Sequence, residues 1–169
     1  MVALPVEPPA DAGASAAGSD VTSDAAALRP TAWTLPEPLV TEVTQLLRDL
    51  RGAGGAGTVR HLPRPTRDPV HVLLYGTGDG ESRAWRDAGA ALVRAADDQH
   101  SSLAVALPEG TTLGGPDGVA KAAAELALGA WLAAYRFELP GRAASRADGD
   151  EEKSGLRRIT LVTAAADVA

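Results

Sequence analysis

The sequence predicts a three-layer α/β fold, in which a mainly parallel mixed sheet is covered by helices on both faces. Two runs of β-forming residues, 69–75 and 103–107, are apolar almost throughout, as is typical of strands buried on both faces. Between them, residues 81–98 repeat apolar side chains at helical spacing. Strands that alternate with helices favour parallel pairing, because the connecting helices then cover the sheet.

The N-terminal residues 1–30 are predicted to be mostly flexible, with a candidate first strand at 2–6. Residues 7–30 consist almost entirely of Ala, Asp, Ser, Gly and Pro, which offer too little apolar surface to offset the entropy of ordering them. The remaining residues, 31–169, have a length that suits a single core. We therefore predict one α/β domain over 31–169.

The first helix is predicted to begin near Thr34 and to end before Gly52. The spacing of Thr34 and Glu37 is that of a capping box, and glycine is a common helix terminator. Its apolar residues recur at helical spacing and predict one buried stripe: Leu39, Val43, Leu46, Leu47 and Leu50. A modest strand over 58–62 is expected next, and the run at 69–75 is expected to be central.

Two further helices and a last strand complete the predicted fold. The helix over 81–98 presents one apolar face, formed by Trp85, Ala88, Leu92, Val93 and Ala96. Asp117 is a candidate N-cap for a helix over 118–136. Because apolar residues extend around most of its circumference, we expect this to be the most buried helix. Residues 156–162 follow as a strand.

The composition argues against several classes of function. The chain has no cysteine, which excludes disulfides, thiolate metal sites and cysteine nucleophiles. Its net charge of -6 repels phosphate backbones and anionic lipid, so we expect neither nucleic acid nor membrane as a partner. The longest apolar stretch, 122–135, is too short to span a bilayer, and residues 1–7 lack the features of a secretory signal. A cytoplasmic location is expected.

A glycine-rich turn follows the strand at 69–75 and is the first candidate ligand site. Gly76, Gly78 and Gly80 lie between a predicted strand and a predicted helix, where phosphate-binding turns occur. The dinucleotide fingerprint would require glycine at position 81, which is Glu81, and the acidic side chains of Asp79 and Glu81 would repel phosphate. A tight structural turn is the favoured interpretation.

The other candidate groups carry weaker signals. Gly114 and Gly115 precede the helix at 118–136 and could offer backbone N–H groups to an anion, although a loop before an N-cap is the simpler explanation. His61, His71 and His100 lack the spacing of metal ligands on one helical face. We therefore predict no metal site and no catalytic residue in this chain.

Three segments together resemble the N-terminal domain of the leucyl (cytosol) aminopeptidase family. Residues 72–78 resemble its strand and Gly-x-Gly turn, residues 88–96 its alanine-rich helix, and residues 124–137, which end in Tyr-Arg-Phe, its E-G-x-x-L-A-x-Y-R-F segment. Two departures are present. Gly129 is displaced from the position beside the glutamate, and residues 138–141 replace a basic segment.

The resemblance implies a macro-domain-like fold and a noncatalytic role. In that family the N-terminal domain helps to shape the hexamer, while a separate C-terminal domain holds two divalent metals and hydrolyses peptides. The N-T-D-A-E-G-R-L signature of that domain has no counterpart here. The chain is therefore expected to be an accessory domain whose partner is a C-terminal peptidase domain or a second copy of itself. The alternative is a macro-domain-like binder of ADP-ribose or a related nucleotide, held by the five glycines of the two loops: Gly76, Gly78, Gly80, Gly114 and Gly115.

Overall fold

The computed structural model describes residues 1–9, 26–50, 53–96, 100–110, 113, 117–135 and 156–164. Within these ranges the chain forms three helices and six strands. In chain order they are β1 (Val2–Glu7), β2 (Ala27–Leu28), α1 (Glu37–Asp49), β3 (Val59–Pro63), β4 (His71–Gly76), α2 (Ser82–Ala95), β5 (Ser102–Ala106), α3 (Gly118–Ala134) and β6 (Arg158–Val162).

These strands form one mixed sheet in the order β3-β4-β1-β5-β6. The pairs β1–β4, β1–β5 and β5–β6 are parallel, and the edge strand β3 runs antiparallel to β4. The short strand β2 pairs antiparallel with the end of β1, where Val6 lies opposite Leu28. Val6 also pairs with Gly76 of β4, so β2 lies on the β5 side of β1. The predicted mainly parallel, mixed sheet is confirmed.

The middle of the sheet is occupied by β1 rather than by β4, which sequence reasoning placed at the centre. β4 is an interior strand between β3 and β1. Ala3 and Leu4 of β1 are fully buried, so the domain predicted over 31–169 is completed by residues at the start of the chain. The prediction of a mostly flexible segment over 1–30 did not include β2, and residues 10–25 of that segment lie outside the described ranges.

Helices cover both faces of the sheet, as predicted. Because side chains of a strand alternate between its faces, Val72 and Leu74 of β4 contact the core beneath α1, whereas Leu73 and Tyr75 contact the core beneath α2 and α3. The first core also contains the buried stripe of α1, which is Leu39, Val43 and Leu47. The second contains Trp85, Ala88 and Leu92 of α2 with Val119, Ala122 and Leu126 of α3.

The start of α1 differs from the predicted capping box. The helix begins at Glu37, with Pro36 as its N-cap residue and no side-chain capping bond. The carbonyl of Pro36 accepts hydrogen bonds from the N–H groups of Leu39 at 2.9 Å and Val40 at 3.1 Å. The helix therefore starts three residues after Thr34, too late for the Thr34 hydroxyl to cap it. It ends at Asp49, and the predicted terminator Gly52 lies outside the described residues.

The expectation that α3 is the most buried helix is wrong. One side of α3 is packed, since Ala122 and Leu126 are fully buried, but the other side is open: Trp131 is 76% exposed and Leu132 66% exposed. Asp117 precedes the helix without making the predicted side-chain cap. An apolar circumference indicated burial, yet the described residues cover only half of it.

The helices α2 and α3 cross at very short range. A Cβ atom added to Gly129 would lie 2.0 Å from the carbonyl oxygen of Arg86, and one added to Gly89 would lie 2.0 Å from the carbonyl oxygen of Leu126. Beside this crossing, the Arg86 guanidinium pairs with the Glu125 carboxylate at 2.5 Å. The absence of two side chains thus lets the backbones of the two helices touch.

Candidate functional site

The glycine turn lies at the edge where the parallel strands end, as the sequence predicts for a ligand-binding turn. Its backbone N–H groups, however, donate to carbonyls of the protein. Gly76 donates to Thr58 at 2.9 Å, Gly78 to Gly54 at 2.9 Å, and Gly80 to a carbonyl within the same turn at 2.9 Å. These three donors are therefore engaged, and a phosphate would have to displace an internal hydrogen bond to reach any of them.

The loop before β3 fills the space against this turn. A Cβ atom on Gly76 would lie 2.0 Å from the carbonyl oxygen of Gly55, and one on Gly78 would lie 2.8 Å from the Cβ of Ala56. Gly78 also has a φ of 56°, which disfavours a side chain. The geometry gives Gly76 and Gly78 a packing role. The second predicted loop, with Gly114 and Gly115, lies outside the described residues, and ligand binding by either loop stays a prediction.

The charges around this edge are mixed. Glu81 begins the approach to α2 and donates its backbone N–H to the Asp79 carboxylate at 3.0 Å, so an acidic group already occupies this donor. Arg29 brings a positive charge near the strand ends. It pairs with Glu7 at 3.7 Å and donates to the carbonyl of Gly110 at 3.1 Å. This arginine fastens β2 to the loop after β5.

Two buried aromatic side chains make hydrogen bonds near the turn, one to the turn itself and one to the end of β5. The Trp85 indole N–H donates to the carbonyl of Gly80 at 2.9 Å, and the Tyr75 hydroxyl donates to the carbonyl of Ala106 at 2.7 Å. Burial raises the pKa of the Tyr75 phenol, which keeps its proton available for this bond. The predicted apolar face of α2 included Trp85, but nothing in the sequence indicated that its polar atom would reach back to the turn.

The three histidines of the chain lie together, near the start of β4 and away from the glycine turn that follows its end. Nε2 of His61 lies 2.9 Å from Nδ1 of His71, and the ring of His100 meets that of His71 edge-on with centroids 4.6 Å apart. Their positions in the sequence gave no sign of this cluster. Within the described ranges, no three His, Asp or Glu side chains converge in a way that could hold a metal ion.

An ion-pair cluster joins α1 to the loop between β3 and β4. The Arg64 side chain is buried and donates to the Glu42 carboxylate at 2.7 Å, and to the backbone carbonyls of Asp68 and Pro69. Arg67 pairs with the other oxygen of Glu42. The hydrogen bond from Arg64 lowers the pKa of Glu42. These contacts connect α1 to the β3–β4 loop and give the cluster a structural role.

A cavity of about 340 Å³ opens on the other side of the molecule, between α3 and the strand β6. We call it the α3–β6 groove. Apolar residues of α2, α3 and β6 line it, and so do two arginines: Val93, Ala130, Trp131, Ile159 and Leu161, with Arg157 and Arg158. The volume lies within the roughly 300–1,000 Å³ range of ligand pockets. Sequence reasoning missed the groove, because it interpreted α3 as buried on all sides.

No helix within the described ranges is long and apolar enough to cross a membrane.

Comparison with known proteins identifies one family and similar solved structures. The chain matches the cytosol aminopeptidase family, N-terminal domain, over residues 20–139. It is similar to two solved structures of the bottromycin maturation enzyme BotP. The structure of BotP in complex with Mn shares 24% sequence identity with this chain at a TM-score of 0.49, and the other BotP structure shares 24% at a TM-score of 0.47. These matches cover 80% of this chain, which spans only 25% and 26% of the two BotP chains. No curated protein matches the chain.

The family match extends over more than half of the sequence and includes all three segments that carry the predicted resemblance. Residues 72–78 and 124–137 both lie within the matched range of 20–139. The predicted family is therefore confirmed, and this chain belongs to the cytosol aminopeptidase family, of which it carries the N-terminal domain.

Proposed function

We propose that this chain is a noncatalytic accessory domain that assembles with a metal-dependent aminopeptidase. The observation that carries the proposal is the match of residues 20–139 to the N-terminal domain of the cytosol aminopeptidase family. In this proposal the peptidase domain supplies the two divalent metals and the hydrolytic residues. The present chain contributes a binding surface, either to that domain or to a second copy of itself, in the cytoplasm.

The structure supports an assembly role through its exposed apolar surface. Trp131, Leu132 and Tyr135 are each at least 66% exposed on the last two turns of α3 and its end. Large apolar patches on a protein surface mark interaction sites, whereas scattered single residues do not. The apolar side of α3 thus gives the accessory role a physical basis.

Nucleotide binding at the glycine turn has less support. Gly76, Gly78 and Gly80 donate their N–H groups internally, and the exposed side chains nearest in sequence, Asp79 and Glu81, are acidic. A nucleotide would lose the backbone donors on which such turns rely and would meet like charge. We therefore expect ADP-ribose to leave the thermal stability of the chain unchanged.

The test combines three measurements on the purified full chain. With Mn²⁺ and Leu-p-nitroanilide we expect no hydrolysis above that of buffer, and with ADP-ribose no change in Tm. In sedimentation velocity over a wide concentration range, we expect the chain either to self-associate or to co-sediment with an Mn²⁺-loaded aminopeptidase of the family. A chain that stays monomeric alone and does not bind the aminopeptidase would refute the assembly role, and metal-dependent hydrolysis would refute the noncatalytic one.

A further inference from the structure

Two of the three clustered histidines lie on neighbouring strands and on the same face of the sheet. In the β3–β4 ladder, His61 lies opposite Leu73, and His71 precedes Leu73 by two residues on β4. Because side chains of a strand alternate between its faces, both rings lie on the side of the sheet where Leu73 packs beneath α2 and α3. Nε2 of His61 is 2.9 Å from Nδ1 of His71, so a ring-to-ring hydrogen bond joins the edge strand β3 to β4.

This hydrogen bond holds one proton between two ring nitrogens. One nitrogen donates its N–H, and the other must keep its lone pair in order to accept it. The pair can therefore be neutral or carry one added proton. When both rings are protonated, two N–H groups face each other, the bond is lost and two positive charges repel across the same short distance. Imidazole ordinarily gains its charge as the pH falls through about 6.5, so weakly acidic conditions favour that state.

A third ring extends the cluster to the segment before β5. The ring of His100 meets that of His71 edge-on with centroids 4.6 Å apart, and the centroids of His61 and His71 are 5.0 Å apart. His71 thus contacts both other rings. It is half-buried, so solvent screens its charge less than that of an exposed side chain. Protonation of the cluster therefore concentrates positive charge on one side of the β3–β4 pair.

Other basic groups lie at the same end of the sheet. The strands β1, β4, β5 and β6 are parallel, so their first residues share one end, and α2 ends there too because it runs back from β4 to β5. The basic groups of these elements are Arg94 in the last turn of α2, the amino group of Met1 before β1, and Arg157 and Arg158 at the start of β6. On β3, Arg60 points to the opposite face from its neighbour His61.

Carboxylates near the cluster oppose the repulsion between protonated rings. Asp68 lies in the loop before β4, and Asp97 and Asp98 precede His100 in the sequence, outside the described residues. Asp87 of α2 pairs with an arginine of its own helix. Because a carboxylate only accepts hydrogen bonds, it can reduce the repulsion but cannot restore the bond between the two rings.

We propose that the histidine cluster of His61, His71 and His100 is an acid-sensitive latch, which holds the edge strand β3 on β4 at neutral pH. As the pH falls through the range in which imidazole gains its charge, the ring-to-ring bond is lost and the repelling rings loosen β3. The contribution of the latch to stability is thus present above this range and lost below it. The proposal goes beyond the accessory role, because the response belongs to this chain alone and requires no partner.

Hydrogen exchange measured by mass spectrometry on the full chain tests the latch. Exchange is followed at about pH 7.5 and about pH 5.5, on either side of the ordinary imidazole pKa, with EDTA present and with rates corrected for the intrinsic effect of pH. We expect the protection of β3 and the start of β4 to fall about tenfold at the lower pH, because a hydrogen bond is lost and like charges repel. Protection of β6, the opposite edge strand, should change less than about twofold, since β6 opens without separating β3 from β4.

Two variants and a control assign the response to the rings. His61→Phe keeps a ring at an exposed position of β3 but removes its nitrogens, so the acid response of β3 should shrink to about twofold or less. His71→Phe, which replaces the middle ring, should behave likewise. Glu42→Gln is the matched control. Because the hydrogen bond from Arg64 lowers the pKa of Glu42, this carboxyl stays charged over the whole range, and the variant should keep the full response.

A last variant examines the neighbouring carboxylates. With Asp68→Asn, Asp97→Asn and Asp98→Asn combined, the response should remain, because it originates in the rings. The latch is overturned if acid leaves the protection of β3 unchanged, if His61→Phe responds as the wild type does, if β6 loses as much protection as β3, or if the combined Asn variant loses the response. None of these results decides the accessory role, which is tested by assembly with the aminopeptidase.

Discussion

Replacing Gly129 with alanine tests whether α2 and α3 require backbone contact. The new Cβ would lie 2.0 Å from the Arg86 carbonyl oxygen, whereas carbon and oxygen atoms in close contact are roughly 3.3 Å apart or more. The helices would have to separate by about 1.3 Å, the difference between these distances. Because the obstacle is the backbone of another helix, no rotamer change can relieve it.

Two opposing effects set the expected magnitude. Overpacking of a core costs about 1–3 kcal/mol, and we expect the upper end because two helix backbones must move. Alanine in a helix interior is favoured over glycine by roughly 1 kcal/mol, which offsets part of this cost. The expected net loss is about 2 kcal/mol in the free energy of unfolding, which corresponds to about 4–8 °C in Tm for a chain of this size.

Urea denaturation of Gly129→Ala beside Ala124→Gly provides the assay. Ala124 lies on the exposed side of α3, so Ala124→Gly measures the propensity difference alone, with an expected loss of roughly 1 kcal/mol. If Gly129→Ala instead stabilised the protein by as much as Ala124→Gly destabilises it, the close crossing would have no energetic role and the reasoning would be refuted.

Three further predictions concern single side chains. Glu42→Gln should flatten the acid dependence of stability. The hydrogen bond from Arg64 lowers the pKa of Glu42 in the folded protein, so the Glu42 carboxylate stabilises the fold above its unfolded pKa of about 4.5. This stabilisation is lost as the pH falls from 4.5 through the folded pKa. Urea midpoints from neutral to acidic pH check this, and an equally steep acid loss in the variant would contradict it. Tyr75→Phe should cost about 1–3 kcal/mol, since it leaves a buried carbonyl without its donor, and a loss below about 0.5 kcal/mol would count against that bond. Leu126→Ala should cost about 2–5 kcal/mol while Trp131→Ala, on the open side of the same helix, changes stability by less than about 0.5 kcal/mol; equal losses in thermal unfolding would show that the exposed side of α3 is packed after all.

The layers and the direction of the sheet could be predicted because they follow from local patterns. The apolar runs that became β4 and β5 and the periodic segment that became α2 are each readable within about a dozen residues. The strand order could not be read in the same way. β1 has a composition like that of other short apolar segments, and its place between β4 and β5 depends on pairings across about 70–100 residues, which no local pattern encodes.

The details of the candidate sites that the sequence could not give have a similar origin. The glycines of the turn after β4 match a ligand-binding pattern, but the N–H groups of Gly76 and Gly78 donate to carbonyls of the loop before β3, which is distant in sequence. The apolar circumference of α3 indicated burial, but how much of it is covered depends on which elements the chain supplies to that side. From the sequence, Gly129 looked like a displaced member of a motif. The reason for a glycine at this position is the close contact with the Arg86 backbone, which is evident only when α2 is in place.

The central position of β1 constrains the order of events during synthesis. Residues 2–7 are synthesised well before both of their parallel neighbours, His71–Gly76 and Ser102–Ala106. Until then this apolar strand lacks both of its parallel partners, and closing such long loops has an entropic cost that delays pairing. The nascent chain therefore carries β1, a strand that is buried in the folded protein, without its parallel partners until β5 has been made, and β1 is the segment that a chaperone would be expected to protect.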